Sequence, residues 1–419
     1  MMTWLLMIFY ALNFVDRQIV SILAEPIARE FALSDTAIGV MTGLAFAFFY
    51  AGLGIPLARW TDRPTTDRPY LMSFCLALWS AMTALCGLAQ SFVQMVLCRI
   101  GVAVGEAGCL PVAHSLIADA VPAERRSSAI AFFGLGQPIG AILGIIVGGL
   151  LAEHYGWRAA FMLVGGPGIA VAILGAILLP EPRRHLKQEQ AQQKSGPPRA
   201  SLGETLRQIV TSRAYLYMLG AGSVMAFVTF GQGVWIAIFF MRSHSLTTGQ
   251  TGLWLGLLSG GLGIVGMILG GHLADRFGAR RPSGSLMPVV YSLLLALPLQ
   301  IAAAQVADWR LAMLLFGVVA GCQAFYFGPG WGLVQGLVPS SSRAMAAALK
   351  LFVQAMLGLG VGPLLFGLLS DALRPTYGEQ SVRMVLIVSS FLFLVAAWLY
   401  WRASRYLEVE LRRATANNG

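Results

Sequence analysis

The sequence predicts an all-α integral membrane protein with twelve transmembrane helices. Charged residues make up 11% of the 419 residues, whereas the types AVILMFWYC make up 57%. Soluble domains carry roughly 25% charged residues, so this composition excludes an ordinary soluble protein. Because a span and its loop together take roughly 35 residues, the chain has room for about twelve helices that cross the bilayer.

The predicted spans are apolar runs bounded by Gly, Pro or charged residues. One long polar segment, residues 181–210, separates six spans from six. We predict an N-terminal six-helix bundle at 1–180, a cytoplasmic linker at 181–210, a C-terminal six-helix bundle at 211–403 and a cytoplasmic tail at 404–419. The spans are predicted near 3–29, 35–58, 70–90, 93–120, 126–152, 158–179, 213–241, 249–274, 284–304, 310–337, 343–370 and 382–402.

The distribution of Lys and Arg predicts the orientation of the chain. Of the 29 basic residues, twenty fall in loops on one side of the membrane and six on the other, and Arg17, Arg99 and Lys350 lie inside spans. Cytoplasmic loops carry the excess of Lys and Arg, so both termini and the linker are predicted to be cytoplasmic. The net charge of +10 reflects this asymmetry and indicates no nucleic-acid partner. The five cysteines show no metal-type spacing, and we predict neither a metal site nor a cofactor.

Four ionisable residues lie in otherwise apolar spans: Asp16 and Arg17 in span one, and Arg99 and Glu106 in span four. Charged groups in the bilayer are costly, so their presence indicates function. Arg99 and Glu106 are seven residues apart and project from nearly one helix face. We predict either that each carboxylate lies near an Arg of the other helix, or that both carboxylates line one aqueous cavity.

These four charges sum to zero when all are ionised, and one added proton leaves a net positive centre. Protonation then favours whichever conformation hydrates or re-pairs the excess Arg. Asp16 and Glu106 are therefore candidate proton-coupling sites, with Arg17 and Arg99 as charge partners. The alternative is a fixed ion-pair lattice that holds spans one and four together.

An Asp-Arg pair recurs at the cytoplasmic end of the second span of each half, as Asp62-Arg63 and Asp275-Arg276. Such an Asp can complement the dipole at the N-terminus of a neighbouring helix, and the alternative is a solvated loop charge. With the six-plus-six division, the repeat resembles the major facilitator superfamily, whose fold is two pseudo-symmetric six-helix bundles. The resemblance implies that these four residues form a cytoplasmic gate, although Ala58 replaces the usual Gly in the first copy.

Further motifs resemble the spinster family within that superfamily. They are Asn13-Phe14-Val15-Asp16-Arg17-Gln18, Leu44-Ala45-Phe46-Ala47-Phe48-Phe49-Tyr50, Arg99 with Gly105-Glu106-Ala107-Gly108, and Pro122-Ala123-Glu124-Arg125-Arg126. The resemblance implies transport of lysophospholipid- or sphingolipid-like amphiphiles, and for the bacterial branch proton-driven export across the inner membrane. We expect a monomer with a small-molecule or lipid substrate.

Aromatic residues in spans seven and ten indicate an apolar substrate cavity, as suits an amphiphile or lipophilic drug. The candidate lining residues are Phe227, Phe230, Trp235, Phe325, Tyr326 and Trp331. Lys350 in span eleven either extends to the headgroups, which we favour slightly, or binds an anionic head in this cavity. Aromatic packing against lipid is the alternative for each ring.

The sequence therefore predicts a proton-coupled secondary transporter that works by alternating access. The nearest alternative is a carrier of small organic anions in which Arg17, Arg99 or Lys350 binds the substrate. A membrane-embedded enzyme or receptor is disfavoured, because the chain has no nucleotide-binding loop, metal cluster or Ser/His/Asp grouping at one membrane depth. We predict no enzymatic activity.

Overall fold

A computed structural model of the protein describes residues 2–63, 65–183, 202–279, 281–339 and 342–416. Every regular element in these ranges is helical. The α-helices are α1 Met2–Phe31, α2 Asp35–Gly39, α3 Ala45–Thr61, α4 Arg68–Cys86, α5 Phe92–Glu106, α6 Cys109–Ala120, α7 Ala123–Gly134, α8 Gly136–Leu178, α9 Leu202–Thr211, α10 Arg213–Ser243, α11 Thr248–Trp254, α12 Gly261–Gly278, α13 Met287–Gln305, α14 Trp309–Ala324, α15 Phe327–Gly336, α16 Arg343–Gln354, α17 Gly362–Tyr377, α18 Ser381–Ser390 and α19 Leu392–Ala416.

Ten continuous helical stretches of the described chain are long and apolar enough to cross a membrane. Two of them, Glu124–Leu178 and Met345–Arg412, each contain two of the predicted spans. Gly156, with a φ of 80°, and Gly378, with a φ of 57°, interrupt the helical backbone between those spans. Gly adopts this left-handed region without the steric penalty of a Cβ. The predicted all-helical architecture with twelve spans is confirmed.

Local capping fixes where several helices begin. The Asp67 carboxylate accepts a hydrogen bond from the Tyr70 backbone N–H at the start of α4, where Pro69 occupies the first turn. Thr247 forms a reciprocal capping box with Gln250 at the start of α11. These side chains satisfy backbone N–H groups that have no partner within the helix.

The chain divides into two compact units. Unit 1 comprises the described residues of 1–194 together with Ser245–Gly256, and unit 2 comprises those of 195–244 and 257–419. The segment Ser245–Gly256, which follows the first helix of the predicted second bundle, therefore packs in unit 1. The predicted linker falls largely on residues 184–201, which lie outside the described residues, as do the last three residues of the predicted tail.

A glycine stripe on α8 sets the position of α1 in unit 1. A Cβ at Gly140 would meet the Ala11 backbone, and one at Gly144 would lie 2.8 Å from Val15 Cα. Any larger residue would push the two helices apart, so glycine permits their close approach. The approach holds Val15, directly before Asp16 and Arg17, against α8.

Unit 2 has a core of buried apolar side chains from α10, α13 and α19. Tyr215 and Phe393 are fully buried in this core. The Tyr215 hydroxyl donates to the Ala346 carbonyl over 2.9 Å and so ties α10 to α16. This bond fixes the start of the helix that carries Lys350.

Candidate functional site

The predicted charge cluster consists of Asp16, Arg17, Arg99 and Glu106, and all four side chains lie within unit 1. Arg17 Nε donates to Glu106 Oε2 over 2.6 Å. The Glu106 side chain is fully buried and that of Arg17 is 11% exposed. This contact is one of the two cross-pairings that the sequence indicates.

Aromatic rings enclose the Arg17 guanidinium. Its Cζ lies 4.4 Å from the centroid of the Tyr50 ring and 5.1 Å from those of Phe14 and Phe46. The Phe46 ring also lies 5.1 Å from Arg99 Cζ. Ring faces attract a cation, so these residues stabilise both guanidinium groups where water is scarce.

The second expected cross-pairing is not formed as an ion pair. Arg99 Nη1 contacts the backbone carbonyl oxygen of Asp16, at 3.5 Å, rather than the Asp16 carboxylate. Asp16 Oδ1, Arg99 Nε and Glu106 Oε1 are buried and have no hydrogen-bond partner among the described residues. Trp79 and Thr83 flank the Asp16 carboxyl. The cluster therefore holds one satisfied ion pair beside a carboxyl and a guanidinium whose hydrogen-bonding capacity is partly unused.

The predicted gate residues are exposed within their units. Asp62 follows α3 directly, and Asp275 lies in the last turn of α12. In the described ranges none of the four side chains of Asp62, Arg63, Asp275 and Arg276 makes a hydrogen bond or ion pair. Their role as a gate stays a prediction.

The predicted cavity residues all belong to unit 2 but differ in exposure. Phe227 and Phe230 are half-buried on α10, and Phe227 contacts the Phe366 ring at a centroid distance of 5.7 Å. Trp235 is fully buried and donates to the Pro363 carbonyl over 3.2 Å. Phe325, Tyr326 and Trp331 are half-buried around the start of α15. Trp235 therefore has no surface to offer a substrate in this conformation, whereas the other rings are partly accessible.

Lys350 does not extend toward the membrane surface, so the preference for that arrangement was wrong. Its side chain is buried, and Nζ donates to the Gly330 carbonyl. The Trp331 ring centroid lies 3.9 Å from Nζ. The backbone carbonyl and the ring hold the ammonium inside unit 2, away from solvent.

The sequence did not predict a row of uncharged polar side chains in unit 2, which we call the amide chain. Gln323 Nε2 donates to Gln232 Oε1 over 2.9 Å, and Gln232 Nε2 donates to Ser389 Oγ over 3.2 Å. Thr229 Oγ1 donates to Gln323 Oε1 over 3.3 Å. An uncharged Gln in an apolar span is a weaker indicator of a functional site than a charged residue. The presence of two Gln residues in such spans is nevertheless a pattern from which hydrogen bonding between helices could have been predicted.

The family model of the Major Facilitator Superfamily matches residues 6–355. The chain belongs to this superfamily. It is a transporter and not an enzyme, and it is a multi-pass membrane protein.

Relatives place this major facilitator among transporters of spinster type. A solved bacterial homologue of the human lysosomal transporter spinster, in an inward-facing and occupied conformation, has a TM-score of 0.84 and 28% identity and covers 96% of each chain. The human protein spinster homolog 1 is 25% identical, over 96% of this chain and 80% of the relative. An MFS-type efflux pump of Mycolicibacterium smegmatis is 35% identical, over 94% of this chain and 90% of the relative. A probable L-galactonate transporter of Escherichia coli is 26% identical, over 95% of this chain and 88% of the relative.

A second charge cluster of this major facilitator lies at the start of α4, and we call it the Arg68 cluster. The predicted spans place Arg68 in the loop between spans two and three, as one of the twenty basic residues on the cytoplasmic side, but its side chain is fully buried. Its guanidinium pairs with Glu181 and, over 2.7 Å, with Asp119. Arg183 Nε also donates to Asp119 Oδ2, over 2.9 Å. The cluster joins the start of α4, the end of α6 and the segment after α8.

The Arg68 cluster perturbs the ionisation of Glu181, which lies beyond the last residue of α8. Burial by itself would raise the pKa of this carboxyl, but hydrogen bonds from the Arg68 side chain and from two backbone N–H groups lower the pKa below its ordinary value. Hydrogen bonds to the ionised form favour that form. Glu181 therefore stays a carboxylate and holds Arg68 in place.

Proposed function

We propose that this spinster-type transporter is a proton-coupled exporter of amphiphilic lipids, such as lysophospholipids or sphingolipid-like molecules, or of lipophilic drugs. The observation that carries the proposal is the four-charge cluster of Asp16, Arg17, Arg99 and Glu106, buried between α1 and α5. Burying charge is so unfavourable that a cluster of this kind indicates a functional role rather than a purely structural one.

Proton coupling follows from the net charge of the cluster. With all four groups ionised, the two guanidinium charges balance the two carboxylates. A proton on Asp16 or Glu106 leaves one guanidinium uncompensated, which is costly in a medium of low dielectric. The conformation that hydrates or re-pairs that guanidinium then gains in population. Asp16 already lacks an ion-pair contact, which supports it as a group that exchanges protons without breaking the Arg17–Glu106 pair first.

The other predicted sites receive roles in the same proposal. Asp62, Arg63, Asp275 and Arg276 form a cytoplasmic gate whose opening alternates with access from the other side. The aromatic residues form the wall of an apolar cavity for the substrate tail, with Lys350 at its polar end. The wall residues are Phe227, Phe230, Phe325, Tyr326 and Trp331, and Trp235 joins them only in a conformation that exposes its ring, which is fully buried here.

We propose a monomer of two six-helix bundles in a bacterial inner membrane, with both termini and the linker in the cytoplasm. The excess of Lys and Arg in alternate loops supports this orientation. Export is supported by the name of the Mycolicibacterium smegmatis relative, an efflux pump. The half-buried rings of α10 and α15 support an amphiphilic or lipophilic substrate.

A carrier of small organic anions is the second candidate, because Lys350 is a buried cation with no acidic partner in the described chain and one relative is named a probable L-galactonate transporter. The two candidates differ in substrate and share the fold. We expect an imposed pH gradient across proteoliposomes to drive movement of a lysophospholipid. D-gluconate, a small organic anion, should not move in the same vesicles.

Three results would count against the proposed function. Movement of D-gluconate alone would overturn the amphiphile assignment and favour the second candidate. Movement of either compound that does not depend on the gradient would remove proton coupling. Lack of saturable counterflow would contradict a carrier mechanism.

A further inference from the structure

Lys350 occupies an unusual position for a lysine of a membrane-spanning helix. Its side chain is 2% exposed, and an ammonium group carries three N–H donors. One of them bonds to the Gly330 carbonyl, and the Trp331 ring partly balances the charge. In the described residues of unit 2 no carboxylate pairs with Lys350. A buried and unpaired charge is unfavourable unless a partner arrives.

Two further polar groups close to Lys350 have no partner in the described chain. Tyr400 Oη and Gln354 Nε2 are both buried and form no hydrogen bond. Tyr400 as a whole is 1% exposed. A buried donor left without a partner is destabilising, so two of them beside an unpaired ammonium indicate that an acceptor binds there.

Glycine positions locate these groups relative to one another. A Cβ at Gly330, the residue that Lys350 contacts, would lie 3.7 Å from Tyr400 Oη. A Cβ at Gly222 would lie 4.0 Å from the same oxygen and would collide with Gln354 Nε2. Gln354 is one helical turn beyond Lys350 on α16, so their side chains share a helix face. Tyr400 Oη therefore lies near both Gly330, whose carbonyl Lys350 contacts, and Gly222, beside Gln354 Nε2.

We propose that Lys350, Tyr400 and Gln354 form a binding site for the anionic group of the substrate, a phosphate or a carboxylate. All three side chains present N–H or O–H donors, and the oxygens of such an anion are acceptors. Bonds from a charged donor to a charged acceptor are roughly twice as strong as neutral ones. Trp331, whose ring centroid lies 3.9 Å from the ammonium, is only half-buried, and we place the entry to the site beside this ring.

This inference deepens the proposed function and rests on it for the apolar part of the substrate. The anion belongs either to the headgroup of an amphiphile or to a small organic acid, and the recognition chemistry is the same for both. A purely structural lysine, whose interactions are completed by Gly330 and Trp331, would distinguish neither an anionic from a neutral ligand nor a lipid headgroup from a small organic acid. Selectivity for charge is therefore the property to measure.

The test is equilibrium binding to the purified full-length protein at one pH, without a gradient. The probes are radiolabelled lysophosphatidylglycerol, which is anionic, the uncharged monoacylglycerol of the same chain length, and D-gluconate as a competitor. We expect the wild type to bind the anionic lipid at least about tenfold more tightly than the neutral one, as one charge-assisted hydrogen bond provides. Lys350→Met should abolish this preference without weakening the neutral lipid, and Lys350→Arg should retain most of it.

Tyr400→Phe provides the second variant, because it removes one donor and leaves the ring and the net charge unchanged. It should weaken the anionic lipid several-fold and leave the neutral lipid unaffected. Equal binding of both lipids to the wild type, or a preference that survives in Lys350→Met, would overturn the site. If Lys350→Met does not fold, a Tyr400→Phe variant with unchanged selectivity overturns it as well.

These outcomes separate the anion site from the proposed function. Equal binding of both lipids overturns the anion site and leaves an amphiphile transporter. Displacement of the anionic lipid by D-gluconate that depends on Lys350 supports the site. If neither lipid binds and radiolabelled D-gluconate binds directly in a way that depends on Lys350, the site is supported and the amphiphile proposal is overturned instead. Loss of proton coupling in transport has no effect on this assay, because the assay uses no gradient.

Discussion

Unit 1 and unit 2 contain buried polar residues of different kinds. In the described part of unit 1, the buried charged residues include Asp16, Arg99 and Glu106, and Arg17 is almost buried. In the described part of unit 2, Lys350 is the one charged member of the buried polar set. The remaining members are hydroxyls and amides such as those of the amide chain. A proton on a carboxylate can therefore change the net charge inside unit 1, whereas the described part of unit 2 offers neutral hydrogen-bonding groups and the Lys350 ammonium.

The difference assigns separate tasks to the two units. Carboxylates that exchange protons belong where a charge imbalance can shift a conformational equilibrium. Neutral donors and a single cation suit recognition of a substrate, because their hydrogen-bonding pattern is unchanged by protonation of the carboxylates. Substitutions in the four-charge cluster of unit 1 should alter the pH dependence of transport, and substitutions at the Lys350 site of unit 2 should alter substrate selectivity.

The largest effect is expected for Arg17→Met. Glu106 would stay buried without its partner, and breaking a buried pair lowers the free energy of unfolding by about 3–5 kcal/mol. Thermal unfolding in detergent should show a markedly lower Tm, with loss of gradient-driven transport. Adding Glu106→Gln should restore most of the Tm but not the transport. A double variant no more stable than Arg17→Met would show that the pair is not the stabilising contact.

Arg68→Met should have the next largest effect and should be confined to stability. It leaves Glu181 without its main partner, and we expect a loss of about 3 kcal/mol, because Asp119 is partly exposed and keeps Arg183. Arg59→Met is the matched control, since Arg59 is exposed near the same loop. Equal Tm values for the two variants would contradict the assignment of Arg68 to a stabilising cluster.

The same cluster predicts a pH dependence of stability. The folded-state pKa of Glu181 is lowered, so the carboxylate stabilises the fold above the ordinary Glu pKa of about 4.3. This stabilisation is lost as the pH falls through the lowered folded-state value. The Tm difference between wild type and Arg68→Met should therefore be constant from pH 7 to about 5 and shrink below about 4. A difference that grows on acidification would refute the sign of the shift.

A moderate effect is expected for Gln232→Leu in unit 2. The change leaves Gln323 and Ser389 with unused hydrogen-bonding groups, which costs about 1–2 kcal/mol. Transport rates plotted against pH should keep the wild-type midpoint, because no titrating group is removed. Thr229→Val, which removes one exposed hydroxyl of the same chain, serves as the milder control. A displaced midpoint in Gln232→Leu would remove the distinction between the two units.

The smallest effect on stability is expected for Asp62→Asn. Asp62 is exposed, so the free energy of unfolding should change by less than about 0.5 kcal/mol. If Asp62 belongs to the gate, substrate binding should be intact while the rate of exchange between inward- and outward-accessible states changes. Accessibility labelling of single cysteines from each side provides the measurement. An unchanged pattern would remove Asp62 from the gate.

The twelve-span architecture and the four-charge cluster could be predicted because each charge is conspicuous in an apolar run. Arg59 and Arg68 show where local sequence stops being informative. Both are basic residues of one loop region, but only Arg68 is buried. Its partner Glu181 lies 113 residues further along the chain, so no local pattern distinguishes the two arginines. The sequence shows the glycines of α8, but only the fold shows that α1 is the helix they contact.

The position of the Lys350 side chain likewise depends on contacts with residues from another part of the chain. A lysine near a helix end usually extends toward the headgroups, and only the fold shows that Gly330 and Trp331 hold it inside. The amide chain was missed because Gln leaves no hydrophobic periodicity to detect. Contacts between distant segments, rather than the helices themselves, are what the sequence alone did not reveal.

Gradient-driven transport by Glu106→Gln in proteoliposomes, compared with substrate counterflow without a gradient, tests whether Glu106 couples protons to substrate. The Gln side chain is close in size to that of Glu, but it neither binds nor releases a proton at the pH values used to impose the gradient. We predict that counterflow persists while accumulation driven by the pH gradient is abolished. Undiminished gradient-driven transport in Glu106→Gln would contradict the claim that this carboxylate couples protons to substrate.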